Sequence, residues 1–600
     1  MIVVGINAYH GDVSAVILRD GELIVAVEEE RFRRIKHVAG FPRHSIAACL
    51  EMAGVAPREI DCFAISRNPR ANMVRKVAFA LTARPSASMV RDRLRHRRVV
   101  SDVAGTLAEM LGLERGAVSR RLRWVEHHPA HLASAFFMSP FEDAAVCAID
   151  GFGDFVSTSS CLGHRARLEP LRKVYFPHSL GLLYLAMTQY LGFPKYGDEY
   201  KVMGLAPYGE PRYVHEIRKL IQLLPDGRFQ LDLTYFRHWS EGAPMTWDDG
   251  EPTLGPVFTP KLEALLGPAR QPGDPLEPRH EAIAASIQQV FEEAAFHVLH
   301  ALYRRVRVPR LCLAGGCAMN SVANGKVRGR TPFEELYVQP AAGDNGTALG
   351  AALYVWHQVL GRPRQFVMEH AYWGPASGDA DIRAALEADR DRLVALGAIP
   401  RVVEDEGELC AWTAAQLERG RVVGWFQGRM EWGARSLGNR SILADPRRGD
   451  MRDIINTKIK FRERFRPFAP SILEEALDEY FVDAVPDPFM IQVYAVRPAK
   501  RSVIPAVTHV DGSGRLQTVN RSANPRYWRL LRAFADLTGV PVLLNTSFNE
   551  SEPIVRQPSE ALDCFLRTQM DVLVIENFIV EKTHAGPVSP VLAVQHPGRS

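Results

Sequence analysis

The chain predicts a two-lobed α/β fold followed by a smaller α/β domain, and three observations carry this. Residues 2–27 read as strand, turn, strand, turn, strand. A similar pattern returns at residues 144–162. Beyond residue 400 the texture changes, from apolar blocks to stretches dense in Arg and Gly. At 600 residues the chain is also too long for one hydrophobic core.

Taken in order, Ile2 to Ile6 is an apolar run followed by the polar turn NAYHGD. Val13 to Leu18 is a second run, Arg19-Asp20-Gly21 a turn, and Glu22 to Val27 a third run. In the later copy Ala144 to Ile149 is apolar, Asp150 to Asp154 is the turn, and Val156 to Leu162 is the next strand. Both copies set acidic or amide groups beside glycines in the first hairpin. Glycine hairpins let backbone N–H groups approach phosphates closely. The duplication points to two lobes with a nucleotide cleft between them, the architecture that actin, sugar kinases and Hsp70 share.

His280 to Val306 has apolar residues at helical spacing and basic residues in its last turn. Arg310 to Ala314 is a strand, and Gly315-Gly316 opens a turn into CAMNSVANGK. Val338 to Gly350 is a second glycine-rich strand-to-helix turn, continued as helix from Leu349 to Val359. Gly361 to Ile399 mixes Pro, Gly and an amphipathic charged helix, and the domain boundary is expected there. Val422 to Phe426 is a strand, followed by GRMEWGARSLGNRSILADPRR. Asp453 to Lys460 is a short helix or turn, and Arg464 to Pro470 is a proline-fixed segment. Val540 to Leu544 is a strand ending in NTSFN, and the end from Thr583 reads as a poorly ordered tail. The expected domains are therefore 1–365, a linker 366–400, 401–583, and a tail 584–600.

Composition narrows the class. Apolar residues are 46% and charged residues 24%, which excludes a disordered or fibrous chain. The formal charge of +4 predicts neither a nucleic-acid nor a membrane partner. The eight cysteines form no CxxC pair and sit in apolar runs, so they read as buried and reduced, not as a zinc or disulfide framework. The N-terminus lacks a basic flank, and Asp12 interrupts its apolar stretch, so it does not read as a signal peptide. No run approaches the roughly 18 apolar residues of a membrane helix. The expected compartment is cytoplasmic.

His127 and His131 stand four apart in EHHPAHLASAFF. On a helix they share a face and can reach one ion, whereas His128 points elsewhere. The competing reading is a capped helix carrying surface histidines. Asp150 ends a buried-looking strand, where a lone carboxylate is costly, and Asp344 sits in a glycine turn of the same kind. Two imidazoles and two carboxylates with open positions suit Fe(II), Mn(II) or Zn(II).

In that order along the chain, GINAYHGD, VEEERFRRIKH, EHHPAHLASAF, EYKVMGLAPYG, GGCAMN and AAGDNGTALGAA resemble the NodU/CmcH-type O-carbamoyltransferases. Tobramycin, cephem and novobiocin carbamoyltransferases belong to that family. GRMEWGARSLGNRSILADPR, KFRERFRPFAP and LLNTSFNESEPIV continue the resemblance to about residue 580. It implies an actin-like (ASKHA, duplicated ribonuclease-H-like) first domain, similar to the ATPase that transfers threonylcarbamoyl to tRNA. It implies a YrdC-like second domain. It also implies carbamoyl-adenylate and pyrophosphate formed in the second domain from carbamoyl phosphate and ATP with Mg(II). Carbamoyl is then transferred in the first domain to a small-molecule hydroxyl. The iron ligands implied are His127, His131, Asp150 and Asp344.

The commoner first motif of the family is Tyr-His-Asp, and here it is His10-Gly11-Asp12, with the histidine displaced by one. His10 is the nearest match to the base, with Asp12 and Lys201 as further catalytic candidates. An imidazole suits the task because its ordinary pKa near 6.5 lets it accept a proton at neutral pH. Gly151, Gly204, Gly315, Gly316, Asn320 and Gly343 are the residues expected to hold the adenylate in the first domain.

Attack at the α-phosphate of ATP gathers negative charge, which calls for fixed cations and donor forks. Arg435, Arg440, Lys458, Lys460, Arg462 and Arg466 supply them within a short span. They are interleaved with glycines and with Trp432 and Phe461, against the alternative of a solvated basic face. Asn545, Thr546, Ser547 and Asn549 are read as following a strand end, where they can bind phosphate or carbamoyl.

One basic stretch stands apart. Arg67 to Arg98 holds ten Lys/Arg against Asp92. Arg84, Arg91, Arg95 and Arg98 are spaced for one helix face, read as a solvated face or as an acceptor-side lid. Three function classes stand on the sequence: O-carbamoyl transfer, an actin-like sugar kinase, and a threonylcarbamoyl-type or non-catalytic nucleotide-binding module. The acceptor and the oligomeric state are not legible.

Overall fold

A computed structural model describes residues 1–83, 102–241, 245–246 and 252–582. Arg84, Arg91, Arg95 and Arg98 of the basic stretch, and the tail 584–600, lie outside the described residues.

The first sheet has β1 (Ile2–Asn7), β2 (Ser14–Arg19), β3 (Glu22–Glu28), β4 (Cys62–Ile65) and β5 (Leu122–Trp124). Its order is β3-β2-β1-β4-β5, with β1–β2–β3 antiparallel and β4 and β5 parallel to β1. The second sheet has β6 (Asp143–Gly153), β7 (Val156–His164), β8 (Arg167–Tyr175), β9 (Arg310–Ala314) and β10 (Glu335–Val338). Its order is β10-β9-β6-β7-β8, again an antiparallel meander extended by two parallel strands. The same topology twice over is the duplicated ribonuclease-H-like, actin-like fold. Residues 144–150 of β6 are buried on both faces, as expected for a strand covered from two sides.

The helices of this domain that shape the site are α1 (Glu30–Arg33), α2 (Met73–Ala83), α3 (His127–Phe136), α4 (Glu199–Leu205), α5 (Pro278–Val306) and α6 (Gly346–Leu353). Helix α6 is built of small residues and wedges between β1 and α3. A Cβ on Gly350 would stand 1.7 Å from the Ala130 carbonyl, so only glycine permits the approach. This packing brings Asp344, just before α6, against the histidines of α3. The helix expected to run on to Val359 instead opens into a π turn over Tyr354–Val359.

The second domain is a nine-stranded mixed sheet with flanking helices. The strands that matter below are β11 (Val423–Phe426), β12 (Arg440–Ala444), β13 (Ala469–Leu473), β14 (Ser513–Val519) and β15 (Val542–Ser547). Its core includes Trp425, Leu443, Ile472, Leu543 and Val574.

Residues 366–400, expected as a linker, are more than a connection. They hold α7 (Asp379–Ala388) and α8 (Arg390–Ala395), whose Ile382, Leu386 and Leu393 lie in the second domain's core. The amphipathic charged helix expected in this stretch is two short helices whose apolar side faces that core. The domains are welded, since Trp432, Leu437, Phe489 and Ile491 bury into the first domain's core. Among the described residues no helix is long and apolar enough to cross a membrane. The eight cysteines are free, and seven are buried.

Candidate functional site

Helix α3 begins at His127, and Pro129 in its first turn forfeits no intrahelical hydrogen bond. His127 and His131 therefore project from one face, with their Nε2 atoms 3.0 Å apart. Two carboxylates face them. Nε2 of His127 stands 3.4 Å from Asp150 Oδ2 and 3.4 Å from Asp344 Oδ1. For His131 the distances are 3.8 and 3.6 Å. One ligand atom from each of the four lies within 4.8 Å of all the others. His128 leaves this cluster, its ring bonded to the Val156 carbonyl (2.9 Å) and Ser159 Oγ (3.1 Å).

The surroundings fix the donors. Gly316 N–H donates to Asp150 Oδ1 at 2.9 Å. Asp154 Oδ2 accepts from the N–H of His127 at 3.0 Å and anchors the helix start. A Cβ on Gly153 would lie 2.1 Å from the His127 ring, so this position is glycine by contact.

The electrostatics are those of a cation site. Burial raises both Asp150 and Asp344, but the facing imidazoles outweigh it: Asp150 falls to about 2 and Asp344 well below the carboxylate range. Burial lowers His127, yet the two aspartates hold it up at about 10. Two buried anions thus draw positive charge inward, and Nδ1 of both histidines is buried without a hydrogen-bond partner. This donor set fits a divalent ion of the Fe(II), Mn(II) or Zn(II) type.

His10 lines the same space. Its ring stacks on His127 at 4.7 Å, with Nδ1 3.7 Å from Asp344 Oδ2. Burial, aided by Arg67, pushes its pKa well below the ordinary histidine value, so the imidazole is neutral at pH 7. Asp12 also lines the space and binds Nδ1 of His37 at 2.7 Å. Burial would lower His37, but Asp12 and Glu30 raise it to about 9. Lys201 lines the space too, tied to Asp198 (2.9 Å) and, across the domain boundary, to Glu463 (3.7 Å). Gly151, Gly204, Gly316, Asn320 and Gly343 are on its wall. Gly315 is not; its N–H bonds the Ala342 carbonyl, and a Cβ would lie 2.3 Å from the Ile149 carbonyl.

The second-domain cluster opens onto the same cavity, of about 1550 Å³. Arg435, Lys460, Arg462, Arg466, Asn545, Thr546, Ser547 and Asn549 line it, as does Arg515 on β14. Burial, then Arg466, lowers Arg435 to about 10 and Arg462 to about 9. Burial, then Arg435, Arg462 and Arg466, lowers Arg515 well below its ordinary value. Nε of Arg435, Nη2 of Arg462 and Nε of Arg515 are buried without a hydrogen-bond partner. Gathered guanidinium groups with unspent donors have the chemistry to bind a polyanion. Lys460 is fastened to β15 and the turn after it, donating to the carbonyls of Ser547 (2.5 Å) and Asn549 (2.7 Å) and to Asn549 Oδ1 (2.6 Å).

Three further sequence expectations are corrected. Lys458 closes the helix Met451–Lys458, is exposed, and does not line the cavity, because the chain turns inward only at Ile459 and Lys460. Arg440 is fully buried away from the cavity. Its guanidinium lies 3.6 Å from the Phe426 ring centroid and bonds the carbonyls of Gln427, Asn439, Pro375 and Gly428. It is a core cation holding loops together, not a phosphate ligand. Asn545, Thr546 and Ser547 are strand residues, paired with Leu443, Ile442 and Ser441, because the ladder with β12 continues through the polar residues.

Sequence reasoning missed Arg515, an arginine alone within the strand SGRLQTV. It also missed the junction made by Glu28 and Arg31. Oε1 of Glu28 accepts from Gly433 N–H (2.8 Å) and from Asn345 Nδ2 (3.2 Å), joining the second domain to the neighbour of Asp344.

Comparison with known proteins finds matches in both parts of the chain. The family model described as the carbamoyltransferase N-terminus matches residues 2–353, and that of the carbamoyltransferase C-terminus matches residues 414–582. Nodulation protein NolNO of Sinorhizobium fredii is 40% identical over 595 residues, covering 97% of this chain and 80% of that protein. Nodulation protein NolO of Bradyrhizobium diazoefficiens is 42% identical over 471 residues, covering 77% and 79%. Among solved structures, component A of the (R)-2-hydroxyglutaryl-CoA dehydratase of Acidaminococcus fermentans is 14% identical, with a TM-score of 0.34, covering 60% of this chain and 99% of that one. With matched regions in both halves and close relatives along most of its length, the chain belongs to the carbamoyltransferase family, and it is a transferase.

Proposed function

We propose that the protein makes carbamoyl-adenylate from carbamoyl phosphate and ATP and moves its carbamoyl group to a hydroxyl of a small-molecule acceptor. One observation carries this reading: the arginine cluster and the His/Asp centre open onto one cavity. An adenylate made at the first can reach the second along this cavity without leaving the protein.

Conservation of phosphorus sets the first step. Carbamoyl phosphate reacts with water to give carbamate and inorganic phosphate. A carbamate oxygen then attacks the α-phosphorus of Mg(II)-bound ATP, and the bond to the β-phosphate breaks to release pyrophosphate. Arg435, Arg462, Arg466 and Arg515 face that charge with their open donors. Lys460 keeps Ser547 and Asn549 in place by hydrogen bonds, while burial, then Arg462, lowers its pKa well below the ordinary lysine value.

His127, His131, Asp150 and Asp344 would hold the divalent ion, for which the resemblance suggests Fe(II). Such an ion, when bound, supplies positive charge that favours AMP as a leaving group. In the second step the acceptor oxygen bonds to the carbamoyl carbon, and the carbon–oxygen bond to AMP breaks. His10 takes the hydroxyl proton on its imidazole, for which burial keeps it neutral. Gly151, Gly316 and Gly343 leave room for the adenylate beside the ligands.

The test is product analysis. Carbamoyl phosphate and ATP together should yield AMP, with one inorganic phosphate and one pyrophosphate for each AMP. ADP formation without a need for carbamoyl phosphate would replace this reading with that of a sugar kinase.

A further inference from the structure

A second cavity, of about 300 Å³, lies in the first domain and shares no lining residue with the large one. Its volume is at the lower end of small-molecule pockets, which run from roughly 300 to 1,000 Å³. Residues of β7 and β8 line one side, and the last turns of α5 line the other. The hairpin joining the strands Ile221–Leu223 and Phe229–Leu231 contributes Pro225, Asp226 and Gly227. A Cβ on Gly227 would lie 2.1 Å from that of Ala301, so only glycine lets the turn close on α5. His297 Nε2 fastens the same turn by donating to the Leu224 carbonyl at 2.7 Å.

The strand side of this cavity is polar. Thr158 and Ser160 stand two apart on β7, hence on one face, and the ladder sets Arg172 of β8 opposite Ser160. Thr158 is 3% exposed, and its hydroxyl is buried without a hydrogen-bond partner. A buried hydroxyl is costly unless something in the cavity bonds it. Val174, Val298 and Leu302 supply an apolar portion of the wall.

The charge is cationic. Arg304 and Arg305 are exposed, and among the described residues neither makes a hydrogen bond or an ion pair through its side chain. Asp226 is already shared by two guanidinium groups, Arg228 Nε at 2.6 Å and Arg172 Nη1 at 3.1 Å. Lys173 is held by Glu126 at 2.9 Å. Arg172, Arg304 and Arg305 therefore face one engaged carboxylate. Basic residues in a last turn complement the helix dipole. That accounts for Arg304 and Arg305, but not for the unbonded hydroxyl in the same cavity.

We propose that this cavity binds a small organic phosphate monoester, at a site separate from the carbamoyl-transfer centre. The phosphate accepts from the hydroxyls of Thr158 and Ser160 and from Arg172, with Arg304 and Arg305 supplying further charge. The hydrocarbon part lies on Val174, Val298 and Leu302. Three arginines and two hydroxyls exceed what the two oxygens of a carboxylate can use. A phosphate monoester offers three acceptor oxygens and nearly two negative charges.

The experiment is calorimetric titration of the full-length protein with phenyl phosphate, inorganic phosphate and phenol. Phenyl phosphate should bind saturably, at least about fivefold more tightly than inorganic phosphate, and phenol should not bind there. Thr158→Val keeps the shape of the side chain and should weaken phenyl phosphate at least about tenfold. The double variant Arg304→Ala/Arg305→Ala should do the same from exposed positions, which keeps the proposal testable if Thr158→Val fails to fold. Arg515→Met, in the large cavity, should leave this binding unchanged.

Without ligand, the Tm of Thr158→Val should stay level or rise, because an unbonded buried hydroxyl is removed. A marked fall would show that the hydroxyl serves the fold and would overturn the proposal. So would equal binding of phenol or inorganic phosphate, undiminished binding in the variants of this cavity, or binding lost only in Arg515→Met.

Discussion

Arg31 donates from Nη2 to the carbonyl of Gly433 across 2.9 Å, and so ties α1 to the loop that carries Arg435. The same guanidinium lies 2.9 Å from Glu30 and 3.5 Å from Glu28, with all three side chains largely buried. Glu28 reaches Asn345 beside Asp344, so one buried ion cluster touches both halves of the site.

Removing the cation should therefore be costly. Arg31→Met leaves two carboxylates buried without their partner and should destabilise the protein by about 3–5 kcal/mol. Denaturant unfolding measures this. A loss under about 1 kcal/mol, the range of an exposed pair, would show that the cluster is solvated.

The α3 histidines predict a sharp contrast. His131→Ala should abolish stoichiometric binding of a divalent metal, measured by elemental analysis after dialysis. His128→Ala should keep the metal while costing about 1–3 kcal/mol of stability, since it strips partners from Ser159 and the Val156 carbonyl. Equal metal loss in both would mean that helix integrity, not ligation, is what was measured.

Arg515 should trade stability against function. Its guanidinium is crowded by Arg435, Arg462 and Arg466, so Arg515→Met should raise the Tm of the ligand-free protein by about 2 °C or more. The same change should lower kcat/KM for adenylate formation by about a hundredfold or more. Lys458→Ala should alter neither quantity. Arg440→Met should lower Tm with an unchanged KM for ATP. A lowered Tm for Arg515→Met would count against the crowded-cation reading.

His37 predicts a pH dependence of stability. Its folded pKa of about 9 exceeds the ordinary 6.5, chiefly because Asp12 and Glu30 outweigh burial. The stabilisation from its protonated form is therefore fully present below about pH 6.5 and is lost as pH rises through 9. The stability gap between wild type and His37→Gln should be widest near pH 6 and should shrink by pH 9.5. A constant gap would remove the ion pair with Asp12 from the account.

Much of this was readable in advance wherever the signal was local. The spacing of His127 and His131 is a helix-face relationship, and a helix is what forms there. The repeated hairpin at residues 2–27 and 144–162 forecast the paired sheets because strand and turn residues are punctuated within a few positions. Asp150 and Asp344 were legible as carboxylates in glycine turns.

The charged residues were harder. Lys458 and Lys460 are two apart in the chain, yet one is exposed and the other buried on the cavity, because a helix ends between them. Arg440 sits among arginines that all looked alike, and its strand aims it into the core. Arg515 had no local mark at all, and the motif that holds Glu28 and Arg31 gave no sign of Gly433, which both bond from far along the chain.

The periodicity of apolar residues and the placement of glycine decide strand, helix and turn, and the ordered motifs carry the family. Those preferences act over a few residues and survive without the rest of the chain. Whether a given charge meets phosphate, core or water depends on which sheets and helices close around it. That environment forms only when distant segments pack, so the arginine cluster and the Glu28–Arg31 junction belong to the tertiary structure alone.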